Sequence, residues 1–210
     1  MIFPKIQDQI QNHFLEFENI APERRHDLQN LAVWMQQQLL HNQYLNIIVI
    51  CTHNSRRSHL GQALLAIAAD YYQVSGINAY SGGTEATAFN YRMVNAFRET
   101  GIHVIKITEG ENPKYNIDWG DLDTQRLHNI FSKPYNHEVN PQNNFMAILV
   151  CDSADQNCPI VTGASKRVSL PYKDPKDFDD TEIESSAYIE KIHEMGREFF
   201  YLISLIPIDN

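Results

Sequence analysis

The sequence predicts an α/β protein: a doubly wound, four-stranded parallel sheet flanked by helices, with a helical extension ahead of it and an insertion within it. Three observations carry that expectation. The runs YLNIIVIC (44–51) and FMAILVC (145–151) are continuously apolar and rich in β-branched residues, as strands buried on both faces of a parallel sheet are. Strand and helix signals alternate through the middle of the chain, the pattern of βαβ units. A length of 210 residues, 43% hydrophobic and 10% aromatic, suffices for one such core and a short appendage.

The elements follow in order. Residues 5–19, KIQDQIQNHFLEFEN, place Ile6, Ile10, Phe14 and Phe17 at helical spacing, and Pro22 suits the first turn of a second helix running to about Leu40. Residues 1–44 therefore read as a two-helix extension. After the strand at 44–51 comes a helix rich in Ala and Leu from about Ser58 to Tyr72, then a strand at INAYS (77–81) and a glycine turn at Gly82–Gly83. A helix across NYRMVNAFRETG (90–101) is ended by Gly101. Residues 108–144 are polar and turn-rich, with room for short strands near 115–119 and 129–133, and read as an excursion outside the sheet. The strand at 145–151 returns to it, RVSLPY (167–172) supplies a shorter fourth strand, and SAYIEKIHEMGREFFYLISLI (186–206) closes the chain as a helix. No internal repeat or low-complexity segment interrupts this order.

Charge and cysteine usage narrow the function. A formal charge of −9 argues against non-specific binding to nucleic acid or an acidic membrane, while leaving room for a small local anion site. No stretch approaches the ~20 apolar residues that span a bilayer, and MIFPKIQDQIQ lacks a basic start followed by an apolar run, so the expected location is the cytoplasm. Three cysteines cannot all pair with one another, and a reducing compartment keeps them as thiols, which points to a chemical task.

The stretch VICTHNSRRSHLGQ (49–62) is where that task is expected. Cys51 ends a strand, the loop THNSRR follows, and Ser58 begins a helix. Backbone N–H groups in a tight loop and at a helix N-terminus converge on an anion. A cysteine in that field is held as thiolate, the nucleophilic form. Arg57 offers a planar fork of donors that grips a tetrahedral oxyanion bidentately, and Asn54 tolerates the left-handed backbone such a loop requires. Downstream, Cys151 ends a strand and Cys158 stands seven residues on, before Pro159. Each could be a small buried hydrophobe. A zinc site from Cys51, His53, Cys151 and Cys158 matches no usual finger or ribbon spacing, so no metal is expected.

CTHNSRRS, the stretch YSGGTEATAFN after the second strand, and Asp174–Pro175 before the last helix together resemble the low-molecular-weight protein tyrosine phosphatases and the thioredoxin-coupled arsenate reductases of the same fold. The resemblance covers about residues 45–107 and 145–206. It implies a catalytic domain over 45–210, with 108–144 inserted. Cys51 would be the nucleophile, Asp174 the general acid, Ser58 a hydroxyl donor to the thiolate and Asn54 a loop stabiliser. The oxyanion would lie in a cradle formed by Thr52, His53, Asn54, Ser55, Arg56, Arg57 and Ser58. Two loop positions depart from the pattern: His53 replaces a usual glycine, and Arg56 stands where a small residue is common.

Cys151-x6-Cys158-Pro followed by an aliphatic residue resembles the redox pair of the arsenate reductase branch in particular. That implies a three-cysteine relay reducing arsenate to arsenite, with no bound cofactor and thioredoxin as reductant and partner. After Asp174–Pro175 come Lys176 and Asp177, where the phosphatases carry aromatic residues; with Phe178 the nearest wall, a small inorganic oxyanion is favoured. The alternative is a phosphatase hydrolysing phosphate monoesters through a phosphocysteine. A non-catalytic oxyanion-binding module, taking a partner through its N-terminal helices, is a third reading, against which Cys51, Arg57 and Asp174 argue.

Overall fold

The computed structural model describes residues 1–151 and 160–207. Its centre is a four-stranded parallel sheet of β1 (Leu45–Cys51), β2 (Ile77–Gly83), β6 (Phe145–Leu149) and β7 (Ala164–Ser169), in the order β2-β1-β6-β7. The two continuously apolar runs are its inner pair, and β6 is buried along its whole length because helices and neighbouring strands leave it no wet face. The flanking helices are α2 (Pro22–Asn42), α3 (Arg57–Tyr71), α4 (Tyr91–Glu99) and α5 (Glu184–Ser204), preceded by the short α1 (Pro4–Gln9). α3 lies across β1 and β2 and against α5. Gly61 permits the close seat: a Cβ there would stand 2.8 Å from Val49 Cγ1 and 3.4 Å from the Phe199 ring. Among the described residues, no helix is long and apolar enough to cross a membrane.

Three expectations need correction. Gly82–Gly83 is not a turn but the end of β2, with Gly83 opposite Cys51. The four residues His103–Lys106 form a strand, β3, that the sequence reading did not separate from its surroundings; with β4 (Tyr115–Asp118) and β5 (Arg126–Ile130) it makes a separate three-stranded antiparallel sheet. The helix expected over 5–19 is broken: α1 passes into a π-turn at Ile10–Phe14, marked by the Leu15 N–H reaching the Ile10 carbonyl at 3.1 Å, and a 3-10 turn follows at Phe17–Asn19. Tertiary packing accounts for the break. Phe14 lies 5.1 Å from Phe200 of α5, and the His13 ring stacks on His193 of the same helix at 3.9 Å.

That stack gives a pH prediction. His193 Nε2 donates to Gln9 Oε1 over 2.8 Å; burial, reinforced by the neighbouring His13 and Arg197, pushes its pKa from 6.5 down to about 4. Below pH 6.5 the unfolded chain binds a proton that the folded one refuses, so this contribution is fully present above 6.5 and is lost as pH falls toward about 4. The midpoint of urea unfolding is expected to drop across that window, and to drop less in His193→Gln. Parallel curves for the two proteins would remove His193 as the cause.

Candidate active site

The loop between β1 and α3 is built by satisfying its carbonyls from outside. The Cys51 carbonyl accepts from Thr84 N–H at 3.1 Å, that of Thr52 from Glu85 N–H at 2.8 Å, and that of Ser55 from Asn90 N–H at 2.9 Å. The His53 carbonyl accepts from the Ser132 hydroxyl at 2.9 Å. With the carbonyls turned outward, the N–H groups from Thr52 to Arg57 have no protein acceptor among the described residues. They are the inward-facing donors of an anion cradle. Asn54 makes the turn with φ of 44°, the left-handed conformation expected for it. A Cβ on Gly83 would meet Glu85 O at 2.3 Å and Thr52 O at 2.6 Å, so only glycine lets β2 end directly beneath the loop.

A chain of side-chain hydrogen bonds ends on the cysteine. Lys133 N–H donates to Asn54 Oδ1 at 2.9 Å, and Asn54 Nδ2 donates to Ser58 Oγ at 2.8 Å. Ser58, with its oxygen thus engaged, has its own proton to offer Cys51 Sγ at 3.1 Å. Arg57 is held over the loop by its Nη1 on the Tyr172 carbonyl at 2.7 Å and its Nη2 on Asp174 Oδ2 at 2.5 Å; its Nε is buried without a protein partner. Asp174 also caps the 3-10 turn Pro175–Phe178, accepting from Lys176 N–H at 3.1 Å. Cys151 leaves β6 one position beyond the Val150 N–H that donates to Ile50 O, and its Sγ lies 3.5 Å from Thr52 Oγ1. The site therefore gathers Cys51, Arg57, Ser58, Asn54, Asp174 and Cys151. Cys158 lies outside the described residues, as does the segment whose unwinding a 151–158 disulfide would require.

Comparison with known proteins agrees with this geometry. No family model matches the chain. An arsenate reductase of Staphylococcus haemolyticus is 28% identical over 130 residues, 61% of this chain and 77% of that protein. One from Bacillus licheniformis is 26% identical over 148 residues, 70% of this chain and 86% of that protein. In fold, 76% of the chain superposes on 98% of a low-molecular-weight protein tyrosine phosphatase from T. tengcongensis, with a TM-score of 0.53 at 15% identity. The chain has the fold of the low-molecular-weight protein tyrosine phosphatases. A YwlE arginine phosphatase carrying a phosphorylated active-site serine superposes over 76% of the chain and 94% of its own length, with a TM-score of 0.51 at 17% identity.

Arg56, expected among the cradle residues although it departs from the loop pattern of the resemblance, turns its side chain elsewhere. Its Nε donates to Tyr188 OH at 2.9 Å and its Nη2 meets Asp179 at 3.3 Å. Tyr188 donates in turn to the other Asp179 oxygen at 2.7 Å, and Arg92 joins through Asp179, Asp180 and Glu184. Burial and the adjacent Asp179 carboxylate push the Tyr188 phenol up. Together these groups pin the segment carrying Asp174 against α3 and α4. His53 is half-exposed, 3.6 Å from Glu85. Sequence reasoning missed Ser132, Lys133 and Tyr172, which act here through backbone groups or a small hydroxyl that no pattern announces.

Proposed function

We propose that the enzyme reduces arsenate to arsenite through Cys51, Cys151 and Cys158, with thioredoxin as the final reductant. The observation that carries this reading is the second thiol at the cradle: Cys151 Sγ, 3.5 Å from the hydroxyl of the residue after the nucleophile. The relatives named arsenate reductases support the same choice. Arsenate enters the cradle, taking the loop N–H groups and the unpartnered Arg57 Nε, and competes with Asp174 for the guanidinium. The Cys51 thiolate attacks arsenic; Asp174 gives a proton to the departing oxygen, which leaves as water. Cys151 then attacks the Cys51 sulfur. The sulfur–arsenic bond breaks toward arsenic, whose two gained electrons make it arsenite, and a Cys51–Cys151 disulfide remains. Cys158 attacks Cys151, freeing Cys51 as thiolate, and the dithiol of thioredoxin reduces the resulting 151–158 disulfide.

The loop, Arg57 and Asp174 also suffice for phosphate-ester cleavage, with water in place of Cys151 resolving a phosphocysteine. The two readings are separated by measuring arsenate-dependent thioredoxin oxidation beside aryl-phosphate hydrolysis on one preparation. Arsenite release in step with thioredoxin oxidation is the expected result, and ester hydrolysis with no arsenite would move the assignment to a phosphatase. Asp174→Asn gives an internal check of the acid. It is expected to slow esters with poor leaving groups by about 10²-fold or more, while sparing an activated nitrophenyl ester, because a proton matters only to an oxygen that leaves reluctantly. Equal losses along a leaving-group series would take that role from Asp174.

A further inference from the structure

Behind the catalytic loop, the segment after β5 closes an open cavity of about 730 Å³ against β2 and α3. Its wall includes Gln62, Tyr80, Phe131, Asn140 and two lysines, Lys114 and Lys133. His128 and His137 border it as well, and the two lysines face a single carboxylate, Glu138, in a chain of net charge −9. Lys133 is 4% exposed. Its Nζ makes one hydrogen bond, 3.4 Å long, to the Phe131 carbonyl, and stands 5.1 Å from the Phe131 ring centre. Among the described residues it has no ion-pair partner within 4.0 Å. A buried ammonium without a counter-ion is costly, and this burial pushes its pKa down to about 8, which leaves it mostly charged at neutral pH. Two more buried groups on the same wall are unsatisfied: the side-chain oxygens of Gln62 and Asn140 accept no hydrogen bond from the described residues.

We propose that this cavity is a second anion site, distinct from the catalytic cradle, which takes a small carboxylate- or phosphate-bearing molecule on Lys133. The anion supplies the missing counter-charge, and hydroxyl donors on the same molecule satisfy Gln62 and Asn140. None of the loop residues 51–58 lines the cavity. Lys133 nevertheless touches the loop through its backbone, whose N–H donates to Asn54 and whose carbonyl accepts from Gly83 at 2.9 Å. The site thus stands whichever reaction the cradle performs.

Citrate and inorganic phosphate, titrated calorimetrically and separately, test it. The full chain carrying Arg57→Ala silences the cradle, and Lys133→Met is then added. At least one anion is expected to bind the first protein at a single site and the second about tenfold or more weakly, the loss of a charge-assisted contact; which anion binds names the headgroup. Equal affinity in both proteins, or no binding of either anion to the first, overturns the proposal. Should Lys133→Met fail to fold, the unsubstituted chain decides: pyridoxal 5′-phosphate with borohydride is expected to label Lys133, and citrate or phosphate to protect it. An unlabelled or unprotected Lys133 overturns it equally.

Discussion

Cys51→Ser is expected to remove arsenate reduction and aryl-phosphate hydrolysis together, by roughly 10⁴-fold or more. The reason lies in the hydrogen bonds that end on the sulfur. Asn54 donates to Ser58, Ser58 is 3.1 Å from Cys51 Sγ, and the cradle N–H groups stand without protein acceptors among the described residues. A serine hydroxyl near neutral pH stays almost wholly protonated in the same place, and a protonated oxygen is a poor nucleophile. Oxyanion affinity should survive, because Arg57 and the loop amides are untouched. Stopped-time assays of both activities, with phosphate binding to the variant by calorimetry, check this; a serine variant with more than a trace of turnover would remove Cys51 as the nucleophile.

What could be read in the sequence, and what could not, divides along physical lines. β1 and β6 were legible because burial on both faces leaves a strand no polar position, and α5 because its apolar stripe is long enough to show a period. The Cys51–Arg57 loop was legible because thiolate chemistry and anion binding restrict residue type at each step. Gly82–Gly83 misled because glycine pairs usually mark turns, whereas here the missing Cβ serves a close approach under the cradle. Arg56 stands inside the loop beside Arg57, yet the direction of its side chain is set by Tyr188 and Asp179, more than a hundred residues later in the chain. Residues 108–144 showed polarity, turns and room for two short strands, but not what those strands pack against. Their contacts through Ser132 and Lys133 to His53 and Asn54 are long-range facts with no local signature.

Cys151→Ser and Cys158→Ser are expected to fail at different steps of the relay, and that difference separates a reductase from a phosphatase. In the proposed relay Cys151 takes the Cys51 sulfur; it follows the strand that neighbours β1, and its Sγ is 3.5 Å from Thr52 Oγ1. Without it no thiol stands ready to take the Cys51 sulfur, so Cys151→Ser should release no arsenite even once. Cys158→Ser keeps that step. It should release one arsenite per enzyme and then stall as a Cys51–Cys151 disulfide, a bond buried at both ends and so poorly accessible to thioredoxin, since exchange requires the attacking thiolate to reach a sulfur. Phosphate-ester hydrolysis should persist in both variants, because water resolves a phosphocysteine and neither thiol belongs to the cradle. Single-turnover arsenite release followed by peptide mapping of the disulfides reads all of these outcomes. If both serine variants match the unsubstituted enzyme through many turnovers, Cys151 and Cys158 are buried thiols only, and the cradle serves a hydrolase.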